Sequence, residues 1–359
     1  MSSGRHRRAI PQVRDSPSKE GSLGNRVVTV VISAFNAALT ISRAVSSALA
    51  SPEVRSVILI DDASDDGTGN VAQIAAEGSP RLRITRNEVN RGPAAGRNRG
   101  FEMADTEVVA ILDADDQVAS GRFTHLLNCD DWDLIADNIR FSRTLECDAG
   151  DAAPVRRTRT IDLSEFASRN ISRPGQPRGE LGFLKPIIKT DFIRAHRLAY
   201  DETLRLGEDF IFYANALACG ARFRLADTVG YIALEREDSL SGKHRTDELI
   251  ALAEAGWELI ATLPPGPERR AMQRYNRAVE IKARHRRLLD ERRQLGAAAA
   301  MINLLATPRY VPGVLTGILR DKLADRPASP QPPPNPRLLL DSSDFLEDAT
   351  IQNGNRLSG

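Results

Sequence analysis

Aspartates gather at the ends of apolar runs in this chain. Asp61-Asp62 closes the run Val57-Ile58-Leu59-Ile60, and Asp113-Ala114-Asp115-Asp116 follows Val108-Val109-Ala110-Ile111-Leu112. Carboxylates this close repel one another and need a cation or hydrogen-bond donors beside them. Oxygen ligands without a neighbouring His or Cys suit Mg²⁺ or Mn²⁺ rather than zinc. The competing reading is that these aspartates are turn and helix-cap residues, like Ser64, Asp65 and Gly67 beside them. A third segment, Asn90-Arg91-Gly92-Pro93-Ala94-Ala95-Gly96-Arg97-Asn98, combines small residues with arginines at a helix start. Small residues let backbone approach a ligand, and a helix N-terminus with Arg nearby favours an anion. It is neither a dinucleotide fingerprint nor a Walker loop, because no GxGxxG or GxxxxGK occurs.

The elements that carry these residues alternate between two periods. Val27-Val28-Thr29-Val30-Val31-Ile32 has strand length and β-branching, and 37–50 keeps a helical period through Leu39, Ile41, Val45 and Leu49. A second strand over 57–60, a helix over 68–77, a short strand at 82–84, a helix from Pro93 to Ala104 and a strand over 108–112 follow. Continuously apolar strands separated by helices predict a mainly parallel sheet covered on both faces, a doubly wound α/β fold. Its ligand crevice lies beyond the carboxyl ends of the strands, the edge on which both aspartate sets fall.

Beyond Asp148 the pattern weakens. Residues 149–180 are rich in Arg, Pro and Gly and read as a loop or variable insertion. A helix is expected from Glu208 to Ala218. Pro264, Pro265 and Pro267 break the chain before a helical stretch over 268–295 that holds ten basic and four acidic side chains. A solvated helix face or attraction to an anionic membrane surface explains it. Residues 297–323 are apolar but interrupted by Pro308 and Pro312, and the tail from Arg326 has six prolines in eleven residues, an extended or disordered composition.

Composition excludes several classes. With 49 basic against 48 acidic side chains the formal charge is +1, so no global attraction to nucleic acid is expected. Cys129, Cys147 and Cys219 are too scattered for a disulfide framework or zinc site, which fits a reducing compartment. No apolar run of about 18 residues occurs, and no apolar segment follows the basic residues of the 1–25 arm. A cytoplasmic protein, peripheral at the inner membrane, is the expectation.

Four segments then become specific together. Val31–Asn36 (VISAFN), Ile60–Thr68 (IDDASDDGT), Asn90–Asn98 and Leu112–Asp116 (LDADD) resemble, in order, the motifs of family-two glycosyltransferases. Leu184-Lys185-Pro186, Tyr200-Asp201-Glu202 and Leu206-Gly207-Glu208-Asp209 resemble the branch that builds bacterial exopolysaccharide, such as the succinoglycan glucosyltransferases. The resemblance implies a GT-A fold over 26–245, followed by a helical region over 246–325 and a tail over 326–359. It implies an inverting, metal-dependent hexosyltransferase that moves a sugar from a nucleoside-diphospho-sugar, UDP-linked, to a hydroxyl of a glycan or lipid-linked acceptor. The alternative is a non-catalytic nucleotide-sugar-binding or scaffold protein of a polysaccharide-assembly complex.

The same resemblance assigns roles. Ser33, Ala34, Phe35 and Asn36 would flank the nucleotide, Asp62 would recognise the base, and Arg97 would sit near the diphosphate. Asp113 and Ala114 would hold the ribose side, and Asp115 with Asp113 the Mg²⁺ or Mn²⁺. Asp209, with Glu208 beside it, would be the catalytic base at a helix N-terminus. Arg236 would belong to a loop closing over the donor, in which His244 is either a metal ligand or a solvated histidine. Ala34 departs from a family proline, and Ala63 replaces glycine or asparagine, a change of little effect if its φ is negative.

Overall fold

A computed structural model describes residues 26–144, 149–171, 179–235, 245–324 and 336–345. The N-terminal half is built from β1 (Val28–Ala34), α1 (Ile41–Leu49), β2 (Val54–Asp61), α2 (Thr68–Ala75), β3 (Leu82–Arg86), α3 (Pro93–Met103) and β4 (Val108–Ile111). Strands β3, β2, β1 and β4 lie side by side in that order, all parallel. Right-handed crossovers put α1 and α2 on one face and α3, which returns the chain across the sheet, on the other. Strand β1 is central, and Val28, Val30, Val31 and Ile32 are fully buried, as a strand covered on both faces requires. Its register sets Ala34 opposite Asp61 and Val31 opposite Ile111, so the aspartate segments reach one edge.

The second half adds β5 (Gln117–Val118), α4 (Arg122–Leu127), β6 (Leu134–Ser142), β7 (Thr158–Ile161), α5 (Leu163–Arg169), β8 (Ile187–Lys189), α6 (Thr190–His196), α7 (Glu208–Ala218) and β9 (Phe223–Leu234). Strand β8 inserts antiparallel between β4 and β6, and β9 pairs with β6 in parallel. Residues 149–180 are therefore not a plain loop. They contribute β7, which pairs antiparallel with β9, and α5, capped by the Asp162 carboxylate accepting from Glu165 N. The buried alternation of Arg159 and Ile161, short and set among arginines, hid the strand.

Helices α8 (Thr246–Thr262), α9 (Pro267–Leu295), α10 (Ala297–Leu305) and α11 (Val311–Ala324) follow. Leu252 and Leu259 of α8 and Met272, Tyr275 and Val279 of α9 belong to the same core as the sheet, so this part of the helical region is continuous with the α/β body. The end of α9 with α10 and α11 closes a small second core around Leu288, Leu304, Tyr310 and Val314. Part of the proline-rich tail returns to the sheet: β10 (Arg337–Leu338) pairs with β6, and Asn138 bonds both the N–H and the carbonyl of Leu340.

Candidate active site

The Asn90–Asn98 segment folds as a turn that opens α3. Gly92 takes φ +88°, which only glycine adopts freely, and Pro93 occupies the first turn. The Asp62 carboxylate holds this turn, accepting from Arg91 N (3.0 Å), Gly92 N (2.7 Å) and Asn87 Nδ2 (2.7 Å). Asp62 is 2% exposed, and these donors take up both its oxygens. The small residues serve packing. A Cβ on Gly100 would lie 2.2 Å from Val31 Cγ1, and one on Gly96 2.2 Å from Ser33 Oγ. Their absence lets α3 lie against β1, a close helix–strand approach that Gly96 of the small-residue segment shares with Gly100 beyond it.

That close packing delivers Arg97 beneath the crevice. Its Nη2 donates to Asp113 Oδ1 (2.9 Å), and its Nη1 to Glu208 Oε1 (3.1 Å) and Asp209 Oδ1 (2.9 Å). Lys185, just before β8, donates through Nζ to Asp209 Oδ2 (2.7 Å) and lies 2.9 Å from Asp113 Oδ2. The Tyr200 hydroxyl donates to Asp209 Oδ1 (3.1 Å). Asn98, the last residue of the motif, positions Tyr200 by bonding both its N–H (2.7 Å) and its carbonyl (3.0 Å). Tyr200 also stacks on Phe212 of α7 at 4.2 Å. Two buried cations thus face three carboxylates drawn from the end of β4 and the start of α7.

The electrostatics follow. Burial alone would raise the Asp113 carboxyl, but Lys185 and Arg97 together hold it well below the usual carboxylate range. Burial would lower Lys185, yet Asp113 and Asp209 keep it firmly charged. Asp116 goes the other way, raised by burial and then by the charges of Asp113 and Asp115. It accepts from Tyr231 Oη (2.7 Å) and Leu234 N (2.8 Å). The half-buried Asp115 stands between these two.

A divalent ion fits this donor set. Asp113, Asp115 and Asp116 offer oxygen donors, and beyond the effect of burial the charges of Asp113 and Asp115, which a cation would relieve, raise Asp116. No group of three or more His, Cys, Asp or Glu side chains converges on one point among the described residues. An ion on Asp115 would take the rest of its shell from substrate oxygens and water, as Mg²⁺ commonly does. Asp113, already engaged by two cations, is the weaker partner for it.

Residues 29–137 match the family model for glycosyl transferase family 2. Succinoglycan biosynthesis protein ExoU of Rhizobium meliloti is 44% identical over 304 residues, covering 82% of this chain and 87% of ExoU. The chain belongs to glycosyl transferase family 2. ExoO, a second succinoglycan biosynthesis protein of that organism, is 35% identical over 239 residues, covering 64% of this chain and 66% of ExoO. Among solved structures, residues 1–349 of S. aureus TarS in complex with UDP-GlcNAc share the fold, with TM-score 0.55, 17% identity, and coverage of 80% and 81%.

Of the remaining expected residues of this family-2 glycosyltransferase, Ser33 and Ala34 end β1, Phe35 and Asn36 follow it, and Ala114 lies beyond β4. Ser33 is half-buried beside Gly96, and Ala34 is buried with its carbonyl accepting from Asp62 N (2.8 Å). Phe35 is 52% exposed at the crevice edge, and Asn36, at φ +50°, accepts from Asp65 N through Oδ1. Ala114 is half-buried. Arg236 and His244 lie outside the described residues. Ala63 takes φ +66°, left-handed backbone that glycine or asparagine adopts more readily than alanine, contrary to the negative φ on which the sequence reading depended. Lys185 and Tyr200 were recognised only as motif letters. A lysine inside Leu184-Lys185-Pro186-Ile187-Ile188 was the available signal, because a charge in a buried run needs a carboxylate partner.

Proposed function

We propose that this glycosyltransferase moves a hexose, with inversion, from a nucleoside-diphospho-sugar to a hydroxyl of a glycan or lipid-linked acceptor, in assembly of a bacterial exopolysaccharide at the cytoplasmic face of the membrane. One observation carries the reading. Arg97 and Lys185 tie Asp113, at the end of β4, to Glu208 and Asp209, at the start of α7. In this reading the nucleotide-side and base-side carboxylates share one crevice. Relatives named for succinoglycan biosynthesis support the polysaccharide product. UDP-linked sugars are the donors to test first, TarS having been solved with UDP-GlcNAc.

In the reaction, the acceptor oxygen attacks the anomeric carbon from the face opposite the diphosphate. As the new C–O bond forms, the bond to phosphate breaks and its electron pair leaves on the diphosphate. Asp209 takes the hydroxyl proton. A carboxylate has about four acceptor positions, and Arg97, Tyr200 and Lys185 fill three of them on Asp209. The open position on Oδ2 is the one left for the acceptor hydroxyl. Both buried cations already face carboxylates of the chain, which leaves the leaving diphosphate short of counter-charge. Mg²⁺ or Mn²⁺ on Asp115 would supply it as a Lewis acid when bound. Incubating a panel of nucleotide-sugars with a hydroxyl acceptor, and reading the product's anomeric configuration by NMR, tests the proposal. Inverted product from one donor supports it; retained configuration, or no transfer from any donor, overturns it.

A further inference from the structure

Thirteen large hydrophobic side chains are exposed among the described residues, and Leu295, Met301, Ile302, Leu305, Leu315 and Leu319 are six of them. These six fall in one short stretch of chain, too concentrated for the scattered apolar surface of an ordinary protein. Ala300 and Leu304 of α10 face α9, while Met301, Ile302 and Leu305 repeat at i, i+1 and i+4 on the far side, 40%, 68% and 57% exposed. In α11, Val314 points inward, and Leu315 and Leu319 stand one turn apart facing out. Residues 297–319 contain no acidic side chain and one basic one, Arg309.

Basic groups flank this apolar surface. Arg286, Arg292 and Arg293 are exposed on the last turns of α9. The guanidinium carbons of Arg284 and Arg309 lie 4.9 and 4.6 Å from the ring centre of buried Tyr310. A cavity of about 250 Å³ between α9 and α10 has Arg284, Arg287, Asn303 and Thr307 in its wall, with Glu291 paired to Arg287. A second copy of the chain would bring the same arginines against these, a like-charge juxtaposition. Anionic headgroups complement them.

We propose that α10, α11 and the end of α9 dock on an anionic bilayer surface, the exposed Met, Ile and Leu side chains entering the headgroup–acyl boundary and the flanking arginines holding headgroups. No helix among the described residues is long and apolar enough to cross a membrane. With nine residues α10 spans roughly 14 Å at about 1.5 Å per residue, so it lies in the interface plane. The proposal stands apart from the transfer reaction, because vesicle binding is read without donor or acceptor.

Flotation of the full chain tests it, with phosphatidylcholine vesicles and with vesicles containing phosphatidylglycerol, each at low and high salt. Binding to the anionic vesicles that weakens at least about tenfold at high salt is expected. Ile302→Glu with Leu305→Glu should lower that binding at least about tenfold with the circular dichroism unchanged, and Arg292→Glu with Arg293→Glu should lower it by a similar factor. Absence of binding in every condition, or full binding by both double variants, would overturn it. So would a dimer in sedimentation that the Ile302→Glu, Leu305→Glu variant dissociates while vesicles capture nothing.

Discussion

Lys185 and Asp209, 24 positions apart in the chain, meet at 2.7 Å between Nζ and Oδ2, and the same ammonium lies 2.9 Å from Asp113. One buried cation therefore sets the spacing of the two carboxylates on which the proposed reaction depends. Lys185→Met would leave both facing each other with Arg97 alone between them. Breaking a buried ion pair this way costs about 3 kcal/mol, read as a lower urea midpoint. Lys185→Arg should recover most of the stability while lowering kcat, since its planar fork cannot reproduce the ammonium geometry. A Lys185→Met protein as stable and as active as the wild type would contradict the arrangement.

The second prediction concerns the contact between α3 and β1. Gly100→Ala places a methyl group 2.2 Å from a Val31 methyl, and the β-branched side chain has no free rotamer in a buried strand. Overpacking of this kind costs about 1–3 kcal/mol. Because α3 carries Arg97, kcat should fall along with stability. Unfolding midpoints and steady-state rates of Gly100→Ala check both; unchanged values would mean that the helix can move away freely.

Much of this arrangement was legible in the chain. The apolar runs ending in Asp61 and Asp113 identified β2 and β4 and their shared edge, and Pro93 and Glu208 marked the starts of α3 and α7 within a residue. Contacts made across the fold were not legible. Nothing local to Lys185 says that β8 inserts antiparallel beside β4 and carries it to Asp113. The small residues of Asn90–Asn98 read as ligand-facing, yet Gly96 packs on Ser33, because sequence spacing cannot tell a close strand from a close substrate. Strand β7 was missed because three of the residues over 156–159 are arginines, whose solvated heads mask a short alternating pattern. Asn138, which draws Leu340 back to the sheet, acts across 202 positions and leaves no local trace.

Ala63 gives a stability prediction of opposite sign. At φ +66° its Cβ crowds the following carbonyl, whereas glycine is free to adopt this conformation. Ala63→Gly should raise stability by up to about 1 kcal/mol, the relief being partly offset by the greater freedom of the unfolded chain. A urea midpoint below that of the wild type would count against the strain.

Asp115 separates metal binding from the ion-pair cluster. Asp115→Asn removes the carboxylate proposed to hold Mg²⁺ or Mn²⁺ and leaves the ion pairs of Arg97 and Lys185 with Asp113 in place. Turnover should fall at least about 10²-fold, and stabilisation by donor plus Mn²⁺ in a thermal shift should largely disappear. Full wild-type activity in excess EDTA would remove the metal from the account.

Asp209 is proposed to take the acceptor's proton while Arg97, Tyr200 and Lys185 hold its carboxylate in place. The most direct measurement is steady-state kinetics of Asp209→Asn with the preferred donor, alongside Glu208→Gln. Asp113 keeps its own contacts with Arg97 and Lys185 in the first variant, so kcat should drop at least about 10²-fold with the donor KM nearly unchanged, and Glu208→Gln should retain the larger rate. A folded Asp209→Asn protein with near-normal kcat, or one slower only because its donor KM has risen, would contradict the assignment.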